Sequence, residues 1–347
     1  MISSSVQRLL IVGFLLFVVS CSRDGTPSGN GSAKTDAKLR AGSNPIQITA
    51  TVGMVADLVR EIGGSEVTVT QLLGAGVDPH LYKPTRDDVR SIKNGDLVMY
   101  NGLLLEGKMA EVLERFAKEK PCIPVASDLK LPAELVAAQD SHHPDPHVWM
   151  DVSLWAQAAD RVRDALSEFD PDHASDYAAR AATLRSKLDA LHAYGRTVMA
   201  GIPSEKRVLI TSHDAFRYFG HAYGLEVQAV QGISTESEAG LKRINSLVDL
   251  LVDRKIEAVF IESSVPKESI ESLLEGAAAR GRQVKIGGEL FSDAMGSDGT
   301  YEGTYIGMMD HNLTQIARAL GSTSVPEGGF KGSATRSSES VPADKTP

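Results

Sequence analysis

Two stretches of alternating β-like and amphipathic segments flank one unbroken helical run of about 30 residues, which leaves few architectures open. The first stretch reads as a strand at Ile46–Val52, a helix at Met54–Ile62 stopped by Gly63-Gly64, and a strand at Val67–Leu73. A helix at Thr85–Lys93, a buried strand at Leu97–Tyr100 and a helix at Lys108–Glu119 follow. The same grammar restarts after residue 205, with strands at Val208–Thr211, Glu226–Val230 and Ala258–Glu262 and a helix from Glu236 to Asp253. Val284–Ile286 then leads toward Asp293. Strand–helix alternation predicts parallel sheets with helices on both faces.

Between the two stretches, Asp170-Pro171 supplies an N-cap and a first-turn proline. Apolar residues then recur at Tyr177, Ala181, Leu184, Leu188, Leu191 and Val198, and Gly201 and Pro203 end the run. At 1.5 Å per residue this helix is about 45 Å long, the height of two lobes. The expected fold is α/β with two lobes, each a mostly parallel sheet flanked by helices, joined by one long rigid helix. The lobes are expected over residues 45–168 and 203–321, with the connecting helix at 169–202. Such a helix leaves little room for a wide hinge motion.

Neither terminus reads as part of these lobes. Arg8 precedes the apolar run Leu9–Val19, which is too short to span a membrane and has the form of a secretory signal over residues 1–20. Val18-Val19-Ser20-Cys21 is similar to a bacterial lipobox, so cleavage before Cys21 and lipid on its sulfur are expected; the plainer alternative is a signal peptide with a chance cysteine. Residues 21–44, rich in Ser, Gly, Thr and Lys, read as a flexible tether, and 322–347 as a disordered tail. An exported, lipid-anchored protein at the periplasmic or cell-envelope face follows. Only Cys122 then remains, which excludes an internal disulfide and reads as a small buried hydrophobe. The net charge of −9 argues against nucleic acid and anionic membrane as main partners.

One tripeptide occurs twice, as Asp78-Pro79-His80 and Asp145-Pro146-His147. Proline fixes its own φ and extends the residue before it, which aims the following side chain. An aspartate two places before each histidine is well placed to hold a ring N–H, the usual support of a metal-ligating imidazole. His213 follows a strand directly, and Asp293 lies in a glycine-containing loop with Asp298 as a nearby competitor. Three imidazoles and a carboxylate make metal binding the leading idea. Glu262, at the end of an apolar strand, either orients a ligand or simply starts a loop. His142 and His143 are candidates for loose metal capture at the mouth of the site, whereas His173, His192 and His221 carry no such pattern.

The segments Gly76–His80, Asp145–Asp151, Thr211–Phe219, Leu290–Gly296 and Thr304–Asn312 together carry a family resemblance. It resembles the cluster A-I (TroA-like) metal-binding solute-binding proteins of bacterial ABC importers for zinc and manganese, over nearly all of Ile46 to Leu320. The resemblance implies that His80, His147, His213 and Asp293 bind one metal between the lobes, and it selects Asp293 over Asp298. It also implies a monomeric, non-enzymatic carrier that delivers its ion to a membrane permease powered by a separate ATPase.

Three neutral imidazoles and a carboxylate favour Zn²⁺, with Mn²⁺ or Fe²⁺ as alternatives. Relatives tuned for manganese often replace the third histidine with glutamate, and this chain keeps His213; the long His-rich insertion of many zinc-specific relatives is absent. Because imidazole must be neutral to bind, affinity should fall with pH. Rival readings are an exported zinc-dependent hydrolase, a binding lipoprotein for a siderophore or haem, and an adhesin. A hydrolase would leave one metal position open. An organic-ligand pocket would need aromatic walls, and aromatics make up only 5% of the chain.

Overall fold

The computed structural model describes residues 45–137 and 144–332. The signal peptide, Cys21, the tether, His142 and His143 therefore lie outside the described residues. Strand β1 (Ile46–Ala50) leads into helix α1 (Gly53–Gly63), strand β2 (Val67–Gln71), helix α2 (Arg86–Asn94), strand β3 (Leu97–Tyr100), helix α3 (Ala110–Phe116) and strand β4 (Cys122–Pro124). All four strands pair in parallel in the order β2-β1-β3-β4. Parallel neighbours need a crossover, and the intervening helices supply it. Central β1 and β3 are buried nearly throughout, whereas edge strand β2 alternates half-buried Val67 and Val69 with exposed Thr68 and Thr70. Thr85 opens α2 by accepting the backbone N–H of Asp88, whose carboxylate reaches back to the Thr85 N–H.

A short helix α4 (Ala133–Ala137) precedes α5 (Val152–Phe169) and α6 (Ala174–Ala200). Asp151 caps α5 by accepting the Ser153 N–H at 2.8 Å. No helix is expected at α5 from the sequence pattern. The face that α5 buries includes Ala156, Ala158, Ala159 and Ala165, small residues that let it lie close along α6 but give a weak apolar signal. The connecting helix also begins later than expected. Pro171–His173 forms a 3₁₀ turn, and Asp170 accepts the His173 ring Nδ1–H and the Tyr177 hydroxyl, each at 2.7 Å, instead of capping backbone. Helix α6 buries the anticipated row of Tyr177, Ala181, Leu184, Leu188, Leu191 and Val198 and packs against α1, α5 and α10. Gly195 sits in this row because a Cβ there would come within 2.7 Å of Tyr223 and 2.9 Å of Leu313.

The C-terminal half contains β5 (Val208–Thr211), α7 (Arg217–Tyr223), β6 (Glu226–Ala229), α8 (Leu241–Asp253), β7 (Ala258–Glu262), α9 (Glu268–Ala279), β8 (Lys285–Leu290) and α10 (Tyr305–Ala319). Its strands form two parallel pairs, β5 with β6 and β7 with β8, and β5 runs beside β7. The helix expected from Glu236 starts at Leu241, so residues 231–240 form a loop. Packing does not divide at residue 203. Phe216, Phe219, Met308 and Leu313 join the large core built from β1, β3, α1, α5 and α6, while Val208, Ile210, Val259, Leu251 and Leu273 form a second cluster.

The expected disorder from residue 322 does not hold for residues 322–332. Ser322 Oγ donates to the Val198 carbonyl at 2.6 Å, and the Phe330 ring lies 5.5 Å from that of Tyr194. Asp310 accepts the Phe330 N–H at 2.8 Å and the Lys331 N–H at 3.1 Å. Cys122 is half-buried, and burial pushes its thiol up to about 11, in keeping with a small unreactive hydrophobe.

Candidate metal centre

Each of the four candidate ligands lies in a connection between regular elements. His80 lies in the loop between β2 and α2, His147 opens the 3₁₀ turn Val148–Met150 ahead of α5, His213 follows β5, and Asp293 follows β8. Three of them therefore project from the carboxyl ends of parallel strands, where α/β folds place their ligands. The structure brings all four together: one donor atom from each lies within 4.8 Å of all the others. His147 Nε2 is 3.3 Å from His80 Nε2 and 3.3 Å from Asp293 Oδ1. His213 Nε2 is 3.1 Å from Asp293 Oδ2, and His80 Nε2 is 3.9 Å from the same oxygen. Relative exposures are 5% for His80, 0% for His147 and His213, and 1% for Asp293.

Hydrogen bonds do not satisfy this cluster: only the His80 and His147 Nε2 atoms face each other as a possible pair, at 3.3 Å. His213 Nε2 and both Asp293 oxygens are buried with no hydrogen-bond partner, despite their proximity. An unpaired buried polar atom costs about 1–3 kcal/mol, so three in one place need a common partner. The outer ring atoms explain why the inner ones are free. His147 Nδ1 is 2.8 Å from Asp145 Oδ1, and His213 Nδ1 is 2.5 Å from Glu262 Oε2. Once the ring is neutral, as a metal requires, a carboxylate on Nδ1 makes that nitrogen the donor and turns the Nε2 lone pair inward.

The two Asp-Pro-His tripeptides differ at this point. In both, the aspartate accepts the backbone N–H of the histidine, at 2.8 Å for Asp78 and 3.0 Å for Asp145. Only Asp145 also holds the ring. Asp78 Oδ2 instead accepts the hydroxyl of Thr235 at 2.5 Å. The expected ring support is present at His147 and absent at His80. Glu262 is the orienting group: its Oε1 also accepts the His213 backbone N–H at 2.9 Å.

The loop carrying His147 is fixed from both halves of the chain. Trp149 Nε1 donates to the Ser292 carbonyl at 2.9 Å, next to Asp293, and the Trp149 ring stands edge-on to His147 with centroids 5.3 Å apart. Tyr305 Oη donates to the Trp149 carbonyl at 2.7 Å, and Asn101 Nδ2 to the Pro146 carbonyl at 3.1 Å. Asn101 is held in turn by buried Glu106, which accepts its N–H at 2.7 Å and the Thr51 hydroxyl at 2.7 Å.

Charge in the cluster is unevenly distributed. Burial lowers His80 to about 4, so it is neutral at physiological pH. Burial also opposes charge on His147, but Asp145 and Asp293 outweigh it and raise that ring to about 9. His213 is likewise driven well above its usual value, by Asp293 and Glu262 acting against burial. Asp293, which burial would raise, is held well below the carboxylate range by His213 and His147. A cation entering the cluster therefore displaces protons.

Asp298 is exposed, in keeping with the choice of Asp293. His173 pairs with Asp170, His192 lies near Asp151, and exposed His221 pairs with Glu134. Thr235 and the roles of Trp149, Asn101 and Glu106 carry no local sequence signal.

The family model described as "ZnuA: Zinc-uptake complex component A periplasmic" matches residues 48–319. The chain belongs to the ZnuA family. It is thus an extracytoplasmic metal-binding component of the ABC importer class, the cluster A-I group expected from its motifs. The manganese-binding lipoprotein MntA of Bacillus subtilis is 44% identical over 286 residues, covering 82% of this chain and 93% of that relative. The zinc-binding protein TroA of Treponema pallidum is 43% identical over 292 residues, covering 84% and 92%. The solved structure of the periplasmic zinc-binding protein TroA from Treponema pallidum superposes with a TM-score of 0.76 at 43% identity, covering 79% of this chain and 99% of that one. This ZnuA-family fold carries the two lobes and long helix expected from the sequence.

Proposed function

We propose that this ZnuA-family protein captures one divalent cation on His80, His147, His213 and Asp293 and delivers it to a membrane permease driven by a separate ATPase. The observation that carries this reading is the buried cluster of inward-facing donor atoms, of which His213 Nε2 and both Asp293 oxygens have no hydrogen-bond partner, backed by carboxylates on two of the imidazoles. Four protein donors favour a carrier over a hydrolase, which keeps a position open for water. Lipid on Cys21 would hold the protein at the membrane, as the name lipoprotein says of MntA.

Zinc is the cation this reading favours, because three neutral nitrogens and a carboxylate suit it and the Irving–Williams order places it above manganese. One observation supports manganese as the second reading. Both Asp293 oxygens face the imidazoles without other partners, so a bidentate carboxylate would give five donor atoms. The relatives divide in the same way, zinc for TroA and manganese for MntA.

The test is competitive loading. The full chain, stripped with chelator, is dialysed anaerobically against equal zinc, manganese and iron(II), and metal per chain is counted for wild type and His213→Ala. One zinc per wild-type chain, lost in the variant, is the expected result. Retained manganese or iron overturns the zinc assignment, and no metal at all overturns the carrier reading.

A further inference from the structure

His147 and His213 are each aimed by a buried carboxylate on the ring, but His80 is not. No described residue hydrogen-bonds its Nδ1, and its placement depends on the backbone bond from its N–H to Asp78 Oδ1 at 2.8 Å. The other oxygen of Asp78 accepts the Thr235 hydroxyl at 2.5 Å, a contact 157 residues away in sequence. Thr235 lies in the loop at residues 231–240, between β6 and α8 of the opposite half of the chain. One residue on, Glu236 makes an exposed ion pair with Lys108 across the same opening.

This crossing stands where the site meets solvent. His80 is the most exposed of the four ligands. It lines a cavity of about 460 Å³ whose walls include Leu103, Leu104, Lys108, Pro146, Ile233 and Glu236. Leu103 and Leu104 both hold left-handed backbone, with φ of 54° and 65°, on the turn that Glu106 closes. Non-glycine residues adopt that conformation at a cost of about 1–3 kcal/mol, which marks the rim as built rather than incidental.

Resting on the carrier reading above, we propose that Thr235 is the positioning residue for His80: its hydroxyl pins Asp78, Asp78 pins His80, and this chain sets how fast metal leaves through the His80 mouth. His80 is the first ligand to let go. The loop at 231–240 acts as the latch, with the hydroxyl as its specific contact and the Lys108–Glu236 pair as a weaker, solvent-screened addition.

The test is the rate of zinc release. Zinc-loaded full-length protein is mixed with excess EDTA and release is followed by stopped flow. Thr235→Val keeps the shape and removes the donor, and Thr235→Ser restores it. Thr235 is only half-buried, so both variants should keep wild-type metal-free melting temperatures. Thr235→Val is expected to release zinc about tenfold faster, equivalent to about 1.4 kcal/mol, with the association rate unchanged. Thr235→Ser should fall within about twofold of wild type, and Lys108→Met should speed release less than about threefold. Release from Thr235→Val at the wild-type rate overturns the inference, as does equal acceleration by Val and Ser. A Lys108→Met effect as large as that of Thr235→Val would place the latch in the ion pair and overturn the assignment to Thr235. Wild-type loading is measured first: if wild type holds no metal, the carrier reading itself fails, whereas a loaded wild type with an unchanged variant sinks only the latch.

Discussion

Glu262→Gln tests whether outer carboxylates set the tautomer of the inner imidazoles. Glu262 uses both oxygens on one residue: Oε1 accepts the His213 backbone N–H at 2.9 Å and Oε2 faces His213 Nδ1 at 2.5 Å. Glutamine has the same shape but only one acceptor oxygen. With its oxygen toward the backbone, its NH₂ meets Nδ1 and is satisfied only if that nitrogen becomes the acceptor, which moves the ring proton to Nε2 and blocks ligation. With its oxygen toward Nδ1, two donors face each other at the backbone, inside a site where His213 is fully buried. Either arrangement costs about 1.5–3 kcal/mol for a hydrogen bond to a charged group. Loss of such an outer partner typically weakens metal binding about 10- to 100-fold. Asp145→Asn provides the internal control. Asp145 accepts both the His147 N–H and Nδ1–H on the single oxygen Oδ1, so asparagine can keep that oxygen in place. Zinc affinity, measured by competition with a chromophoric chelator at pH 7.5, should fall about 10- to 100-fold for Glu262→Gln and less than about tenfold for Asp145→Asn. Circular dichroism should show both variants folded. Binding within twofold of wild type for Glu262→Gln would refute the tautomer argument, and so would equal losses in the two variants.

Protons and metal should compete over a higher pH range than free histidine suggests. The raised His147 stabilises the metal-free protein below about pH 6.5, and that contribution is lost as pH climbs through about 9; the raised His213 acts in the same direction, and lowered His80 opposes both at acid pH. Metal needs all three rings neutral, so log Kd should fall by about 1–2 per pH unit between pH 6.5 and 8, and the melting-temperature gap between loaded and stripped protein should widen; a flat profile would contradict the charge assignment. Gly307→Ala should prevent stable folding, because a Cβ would lie 1.7 Å from the Tyr301 carbonyl oxygen in the first turn of α10; soluble expression with a wild-type melting temperature would be incompatible with that packing. Asp310→Ala removes the acceptor for Phe330 N–H, Lys331 N–H and the Tyr301 hydroxyl, and should lower stability by about 2–3 kcal/mol and expose residues 322–332 to protease without changing zinc affinity.

What could be read in the sequence was what local chemistry dictates. A metal site needs uncommon side chains at turns, so His80, His147 and His213 stood out together as a pattern, whereas Asp293 was separated from Asp298 only by the family resemblance; the buried row of α6 followed from its period alone. Helix α5 was not legible because four of the nine residues it buries are alanines, which blur its apolar period, and the docking of residues 322–332 was not because it rests on contacts with distant Val198, Tyr194 and Asp310. The repeated tripeptide shows most clearly where local information ends. Asp78 and Asp145 make the same bond to the backbone of the following histidine, as identical local sequences should. Their remaining acceptor capacity is used differently: the neighbouring His147 ring takes Asp145, while distant Thr235 takes Asp78. Identical tripeptides therefore yield ligands that are held differently, one fixed within its own loop and one fixed by a hydroxyl from the other half of the chain. A carrier must bind tightly and also let go, and two equally rigid loops would meet only the first requirement. The asymmetry places the weak point at His80, the ligand nearest solvent, where loss of one hydroxyl contact can loosen the site without unmaking the fold.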